Sequence, residues 1–585
     1  MNRSRIEVRG TLAACALLAV ACAPADETES DPMVADVNTL ADRYVAAYFD
    51  AFPHQATLLG AADAAHDRLP DLSAATRQQW ESMEDSILRS IESINAGSLG
   101  TGSAESITHG FLTNLIRNAQ AWRACRMDLW NVSPTWTGWQ QELALLASSQ
   151  PIGSAQQNDA AYRRFAELPR YLDQEIANLR EGLELGYSSP KGNVASVIAQ
   201  VDALLEAPVD ESPFVAMARD STTEFRTRMQ ELETTQIRPA LLRYRDFLAI
   251  EYMPAARETV AVATNPDGAA CYTAAIRYHS TVDMSPQEVH ETGLEQMELI
   301  RAEMRDIAQS MLGSDNVDEA LRRMRSDRAY QFSSREEMLA VAESAVARAQ
   351  AAVPQWFGIV PRATVRVEPV PSFSEPSAPG GFYNPPAEDG SRPGIYYINL
   401  YEADGKPRAG LEATAFHETY PGHHLQGAIA LEREGLHPLQ RYMYLSGFGE
   451  GWGLYSERLA DEMGLYSADV DRLGLLSNEA LRAARLVVDA GMHALGWTRQ
   501  QAIDYMLANT AESQSSVTAE VDRYIAVPGQ ATAYMLGNLE IRRLRELARS
   551  AMGDAFDIRA FHDRILEDGA VPLVMLRAKI ERWIE

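Results

Sequence analysis

Apolar residues recur at helical spacing along most of the chain. "ADRYVAAYFDAF", "WESMEDSILRSI" and "FAELPRYLDQEIANLREGLEL" are examples, and this period predicts amphipathic helices. Helix starts are marked as well. Ser285, Pro286 and Glu288 read as N-cap, first-turn proline and capping-box acid, and Ser334 with Glu337 and Thr498 with Gln501 repeat the box. One region departs from the period. From about residue 354 to 407 the chain is rich in Pro, Gly, Tyr and β-branched residues. There "ATVRVEP" and "GIYYINLY" read as strands. "PSFSEPSAPGGFYNPPAEDGSRPG" between them reads as a long loop, a kind of segment that is often functional. With no internal repeat and no second tether, the expected fold class is mainly α. One helical unit should span residues 36–585, with a small β-sheet beside the helix that carries "HETYPGHH".

Composition narrows the partners. Hydrophobic residues make up 46% of the 585, enough for a large core. The net charge of −28 argues against a nucleic-acid partner, which would select a basic face. At the N-terminus, Arg3, Arg5 and Arg9 precede the short apolar run "TLAACALLAVAC". That run is too short to span a bilayer and reads as an export signal. "LAVAC" resembles a bacterial lipoprotein box, so residues 1–21 are expected to be a lipoprotein signal peptide with Cys22 lipidated. "LAAC", ending at Cys15, is locally a better match but leaves too little apolar run before it, and plain secretion by signal peptidase is the alternative. Residues 22–35 are polar and acidic and read as a flexible tether. Membrane attachment is then expected only through the lipid at Cys22. Ala23 after it favours the outer membrane, by resemblance to lipoprotein sorting. Cys125 and Cys271 remain, as a disulfide or as two buried thiols.

The chemistry concentrates in "HETYPGHH", where His417, His423 and His424 are three of eleven histidines. A catalytic zinc takes about three His, Glu or Asp ligands and keeps one position open. In the usual signature two histidines at i and i+4 share a helix face, and a Glu beside the first is the general base. Here that spacing fails. His423 follows His417 by six residues and points the wrong way in a regular helix. His424 follows by seven and lies ~10 Å further along the axis. Pro421 removes a helical hydrogen bond and Gly422 admits unusual backbone angles. A local bulge is expected to bring His423 into place as the second ligand, with His424 as the alternate. Glu450 in "FGEGWGLYSE" is the expected third ligand. Glu457, one helical repeat later, either orients a histidine or is an ordinary helix acid.

"HETYPGHH", "FGEGWGLYSE", "RLVVDAGMHALGW" and "VPGQATAYMLG" together resemble a bacterial domain-of-unknown-function family, the one numbered eight hundred and eighty-five. More distantly the chain is similar to the helical gluzincin peptidases, among them thimet oligopeptidase, angiotensin-converting enzyme and the thermostable carboxypeptidases. Placing Gly422-His423 on their Gly-His implies a two-residue insertion after Glu418. Phe448, Glu450 and Glu457 match their Phe-x-Glu and later Glu. The resemblance implies a gluzincin-like helical unit with a deep cleft and a substrate peptide lying along an edge strand. "GIYYINLY" is the candidate for that strand, with Tyr397 and Asn399 lining it or packed in the sheet. It also implies a tyrosine donor to the oxyanion, for which Tyr534 is the first choice.

Other residues have less specific expectations. Tyr524 and Arg523 are candidates for binding a substrate carbonyl or carboxylate, with pairing to an acid as the alternative for Arg523. Asp489 and His493, at i and i+4, are candidates for orienting a ligand or binding substrate, or form a structural pair. The expected function is an exported zinc peptidase with one Zn²⁺ per chain. In it Glu418 takes a proton from a metal-activated water that attacks a short peptide. A metal-dependent esterase or amidase and a non-catalytic peptide-binding lipoprotein are the alternatives. "GxSxG" is absent.

Overall fold

The computed structural model describes residues 36–585 except 62–63, 372–374, 376–378, 388–389 and 391. The signal peptide, tether, Cys15 and Cys22 therefore lie outside the described residues. Asp36–Glu585 form one unit, mainly α. The helix signals act largely as their chemistry requires. Ser285 caps Pro286–Leu312 (α1) with a complete capping box, and Thr498 does the same for Arg499–Asn509. At Ser334 only half of the box forms. Its hydroxyl accepts from Glu337 N, but the Glu337 carboxylate bonds Ser333 and Arg408 instead.

Five further elements build the site: Leu411–Glu418 (α2), His423–Glu432 (α3), Ser446–Glu462 (α4), Asp469–Ala494 (α5) and Ala533–Met552 (α6). α1 packs along α5, and α4 packs along α6. Nearly every α5 residue from Leu473 to His493 is buried, so it forms the central post. Cys125 and Cys271 are joined by a disulfide inside the same core cluster.

The sheet has three strands, Val365–Pro369 (β1), Gly381–Asn384 (β2) and Gly394–Ile398 (β3), in the order β1-β3-β2. β3 pairs parallel with β1 and antiparallel with β2. This corrects the expected edge. "GIYYINLY" contributes the central strand, whose two sides are both occupied. The edges are β1 and β2, and β2 lies inside the segment read as loop. Four residues without clean alternation carry too little pattern to be recognised. Tyr397 stacks on Phe382 of β2 at 5.1 Å. Asn399 is buried, donating to Glu375 O and accepting from Tyr401 N. Both belong to the packing of the sheet region.

Candidate metal centre

α2 does not bulge after Glu418; it stops. Thr419 and Gly422 leave helical angles, the Tyr420–Pro421 peptide is cis, and α3 restarts at His423. A Cβ on Gly422 would lie 1.9 Å from His417 O, so only glycine lets the chain fold back this closely. Trp452 of α4 donates from Nε1 to Pro421 O at 2.9 Å and pins the turn. The second helix is thus a new one, free to approach at its own angle. That is how His423 reaches His417 despite the spacing.

The result is a compact donor set. Nε2 of His417 lies 3.5 Å and Nε2 of His423 3.6 Å from Oε2 of Glu450. The three ligand atoms lie within 4.8 Å of one another. Zinc bonds of about 2.0–2.1 Å at tetrahedral angles put ligand atoms about 3.3 Å apart, close to these separations. Two imidazoles and one carboxylate suit a divalent cation such as zinc. Behind them, Nδ1 of His417 donates to Oε1 of Glu457 at 2.9 Å, which directs Nε2 toward Glu450. Glu457 is fully buried, so the reading of an exposed helix acid is wrong. Gly453 gives the imidazole room: a Cβ there would lie 2.5 Å from its Cε1.

Electrostatics fit the same picture. Burial alone would hold the His417 imidazole down, but its bonds to Glu450 and Glu457 reverse the sign and raise it to about 10. Burial would raise Glu450, yet the two histidines hold it well below the usual carboxylate range. The cluster therefore binds positive charge, and a divalent cation would take the place of the proton. Glu418 is raised, chiefly by desolvation.

His424 lies outside this donor set. Its Nδ1 accepts from Tyr383 OH at 2.9 Å, and its Nε2 lies 3.1 Å from both Ala363 O and Tyr420 OH. Burial lowers it to about 4, so it is neutral and serves to hold Tyr383. As the second residue of α3, it points to the sheet while His423 points to Glu450.

A cavity of about 640 Å³ opens onto the donor set and is lined by Glu418, Tyr534 and Tyr383, among others. Tyr534, at the start of α6, is kept protonated by burial. Three further side chains on this cavity went unrecognised in the sequence. Tyr444 donates to Oε1 of Glu450 at 2.9 Å, fixing the oxygen that does not face the histidines. Arg482 and Arg485 project from α5. Arginine in an otherwise buried helix was the available signal, and Arg485 opens the quoted "RLVVDAGMHALGW".

Four expectations are corrected here. None of Asp489, His493, Tyr524 and Arg523 lines the cavity. Asp489 accepts from Tyr272 OH and Gly529 N. His493 accepts from Val262 N and reaches Tyr524 O, so the i, i+4 pair makes no mutual bond and is structural. Tyr524 accepts from Arg485 and donates to Glu520. Arg523 pairs with Glu520 and Gln530.

A model of the bacterial protein family of unknown function DUF885 matches residues 53–580. The chain belongs to this family. Among solved structures it resembles a candidate lipoprotein of Colwellia psychrerythraea, with 28% identity and a TM-score of 0.86 over 94% of this chain and 99% of that one. It also resembles a candidate lipoprotein of unknown function from Shewanella oneidensis. There the TM-score is 0.75 at 17% identity, over 94% of this chain and 100% of that one, a likeness of fold. No curated protein matches the sequence. Among the described residues, no helix is long and apolar enough to cross a membrane.

Proposed function

We propose that this member of the DUF885 family is an exported zinc-dependent peptidase acting on short peptides. The observation that carries the reading is the pairing of a two-histidine, one-glutamate donor set with Glu418 beside it on one cavity. A structural site has no use for a base at that position. His417, His423 and Glu450 would hold one Zn²⁺, which when bound supplies Lewis acidity to the carbonyl and to water. Glu418 accepts the proton of the attacking water as its oxygen bonds the carbonyl carbon. It then delivers the proton to the amine nitrogen as the C–N bond breaks. The upward shift of Glu418, caused chiefly by desolvation, favours its taking up the proton of the water. Tyr534 donates a hydrogen bond to the developing oxyanion. β2, at the sheet edge with Phe382 and Tyr383 on the cavity, offers backbone groups to an extended peptide. The Colwellia relative supports anchoring through lipid at Cys22, on the periplasmic side or the cell surface.

The test begins with metal. Elemental analysis of the tag-free protein should find about one zinc per chain, and H423A should lose it. Glu418→Gln should keep the zinc while peptide hydrolysis falls by about 10²–10⁴-fold. Zinc-free protein after zinc has been offered would sink the reading. Retained peptide affinity without hydrolysis in either form would instead favour a peptide-binding lipoprotein.

A further inference from the structure

The cavity that holds the donor set also carries a pair of arginines. Arg485 is buried at 6% exposure, and the side chain of Arg482 is 14% exposed. Both line the cavity. Arg485 is held rigidly: Nε donates to Tyr524 OH at 2.9 Å and Nη2 to Glu520 at 2.8 Å. Its guanidinium lies 4.5 Å from the centre of the Tyr534 ring. Arg482 is anchored by a bond from Nη1 to Asn478 O, and its Nη2 lies 3.8 Å from Glu457. Among the described residues, two N–H groups of this pair have no acceptor: Nη1 of Arg485 and Nε of Arg482. Buried guanidinium N–H groups without acceptors are uncommon and carry a desolvation cost.

Each arginine thus keeps an N–H without an acceptor beside this cavity, and the pair calls for an anion. A carboxylate fits best, because its two oxygens match the planar N–H geometry of arginine and it adds only one negative charge. A phosphate dianion would meet Glu418 and Glu450 on the same wall. The arginines are also close to the chemistry. Arg482 reaches His417 through Glu457, and Arg485 stacks on Tyr534. A carboxylate held there belongs to a group close to the bond being cut. The volume is that of a small-molecule site, suited to the end of a peptide.

We infer that Arg482 and Arg485 form a carboxylate subsite that receives the C-terminal carboxylate of the substrate, so that the enzyme cuts near the C-terminus. This rests on the peptidase reading and sharpens it. It also moves the carboxylate-binding role from Arg523, which is committed to Glu520, to its neighbours on α5.

The test separates the two. Zinc-loaded E418Q is titrated by calorimetry with one short N-acetylated peptide in three forms: free acid, C-terminal amide, and amide with a glutamate added near the end. The wild-type protein is assayed for hydrolysis of the same three. The free acid should bind about tenfold or more tighter than the amide, the worth of one charge-assisted bidentate contact. In R482Q and in R485Q, each made in the E418Q background, the acid-to-amide ratio should fall toward one. Thermal melting confirms that each variant is folded, and R482Q leaves the Arg485–Glu520 pair intact. Equal binding of acid and amide overturns the subsite, while hydrolysis of both by wild type leaves the peptidase reading standing. Recovery of affinity by the glutamate-bearing amide overturns the assignment to the chain end. If wild type cuts nothing yet the acid preference and its loss are seen, the subsite stands and the peptidase reading fails.

Discussion

His423 and His424 are adjacent residues with opposite fates. Position on α3 decides them: one ring faces Glu450, while the other is enclosed by Tyr383, Tyr420 and Ala363. Elemental analysis should therefore find zinc lost in H423A and retained in H424A. The reverse result would make His424 the second ligand. Asp489 makes a prediction of a different kind. Its carboxyl titrates at 3.8 in a free chain, and burial pushes it up to about 7 in the fold. Between those values the native state keeps a proton that the unfolded chain has lost, so this residue's contribution to stability falls as pH rises. Below both values it contributes nothing. The stability of wild type relative to D489N should fall by on the order of 4 kcal/mol from about pH 4 to pH 7. A flat difference in urea unfolding across that range would refute it.

Among the elements, the contact between α2 and α4 builds the candidate metal site. The glycines of "SGFGEGWG" look like helix breakers, yet all lie within α4. At Gly453 the reason is direct: the His417 ring occupies the space of a side chain. Gly453→Ala should displace that ring. Overpacking of this kind costs about 1–3 kcal/mol, and here it should appear as about a tenfold or greater loss of zinc affinity in competition with a chelator. Unchanged affinity with a lowered melting point would show that the contact serves packing alone. The turn from Glu418 to His423 is the other deciding feature. Proline and glycine announced an interruption, but the choice between a bulge and a full stop depended on Trp452, which arrives from α4 to bond the turn.

Across the whole molecule, the Cys125–Cys271 bridge ties residues 146 apart to one core cluster. It fits a chain that folds in an oxidising compartment. Replacing both cysteines by alanine should lower stability by about 3–5 kcal/mol on the chain-entropy account, read as a lower thermal midpoint with zinc content retained. An unchanged midpoint would show that the bridge adds little to the packed core. The site itself is a whole-molecule product. Its residues come from the sheet, the broken α2–α3 pair, the segment before α4, α4, α5 and α6, with further lining from Leu59 to Ala570.

Period and local chemistry in the sequence determined the mainly helical class, the helix starts, two of the three strands and the clustering of possible metal donors in "HETYPGHH". These are short-range properties, set by apolar spacing, capping groups and residue type. Pairing and direction were decided by tertiary structure. Which strand lies at the edge depends on partners tens of residues away. Which histidine faces Glu450 depends on the angle at which α3 restarts. Asp489 and His493 turned to packing because the core closed around them, Tyr524 and Arg523 became partners of Glu520, and the same closure brought Arg482 and Arg485 to the cavity. A charged side chain reads the same in sequence whether it meets a partner or an empty space, and only the fold distinguishes the two.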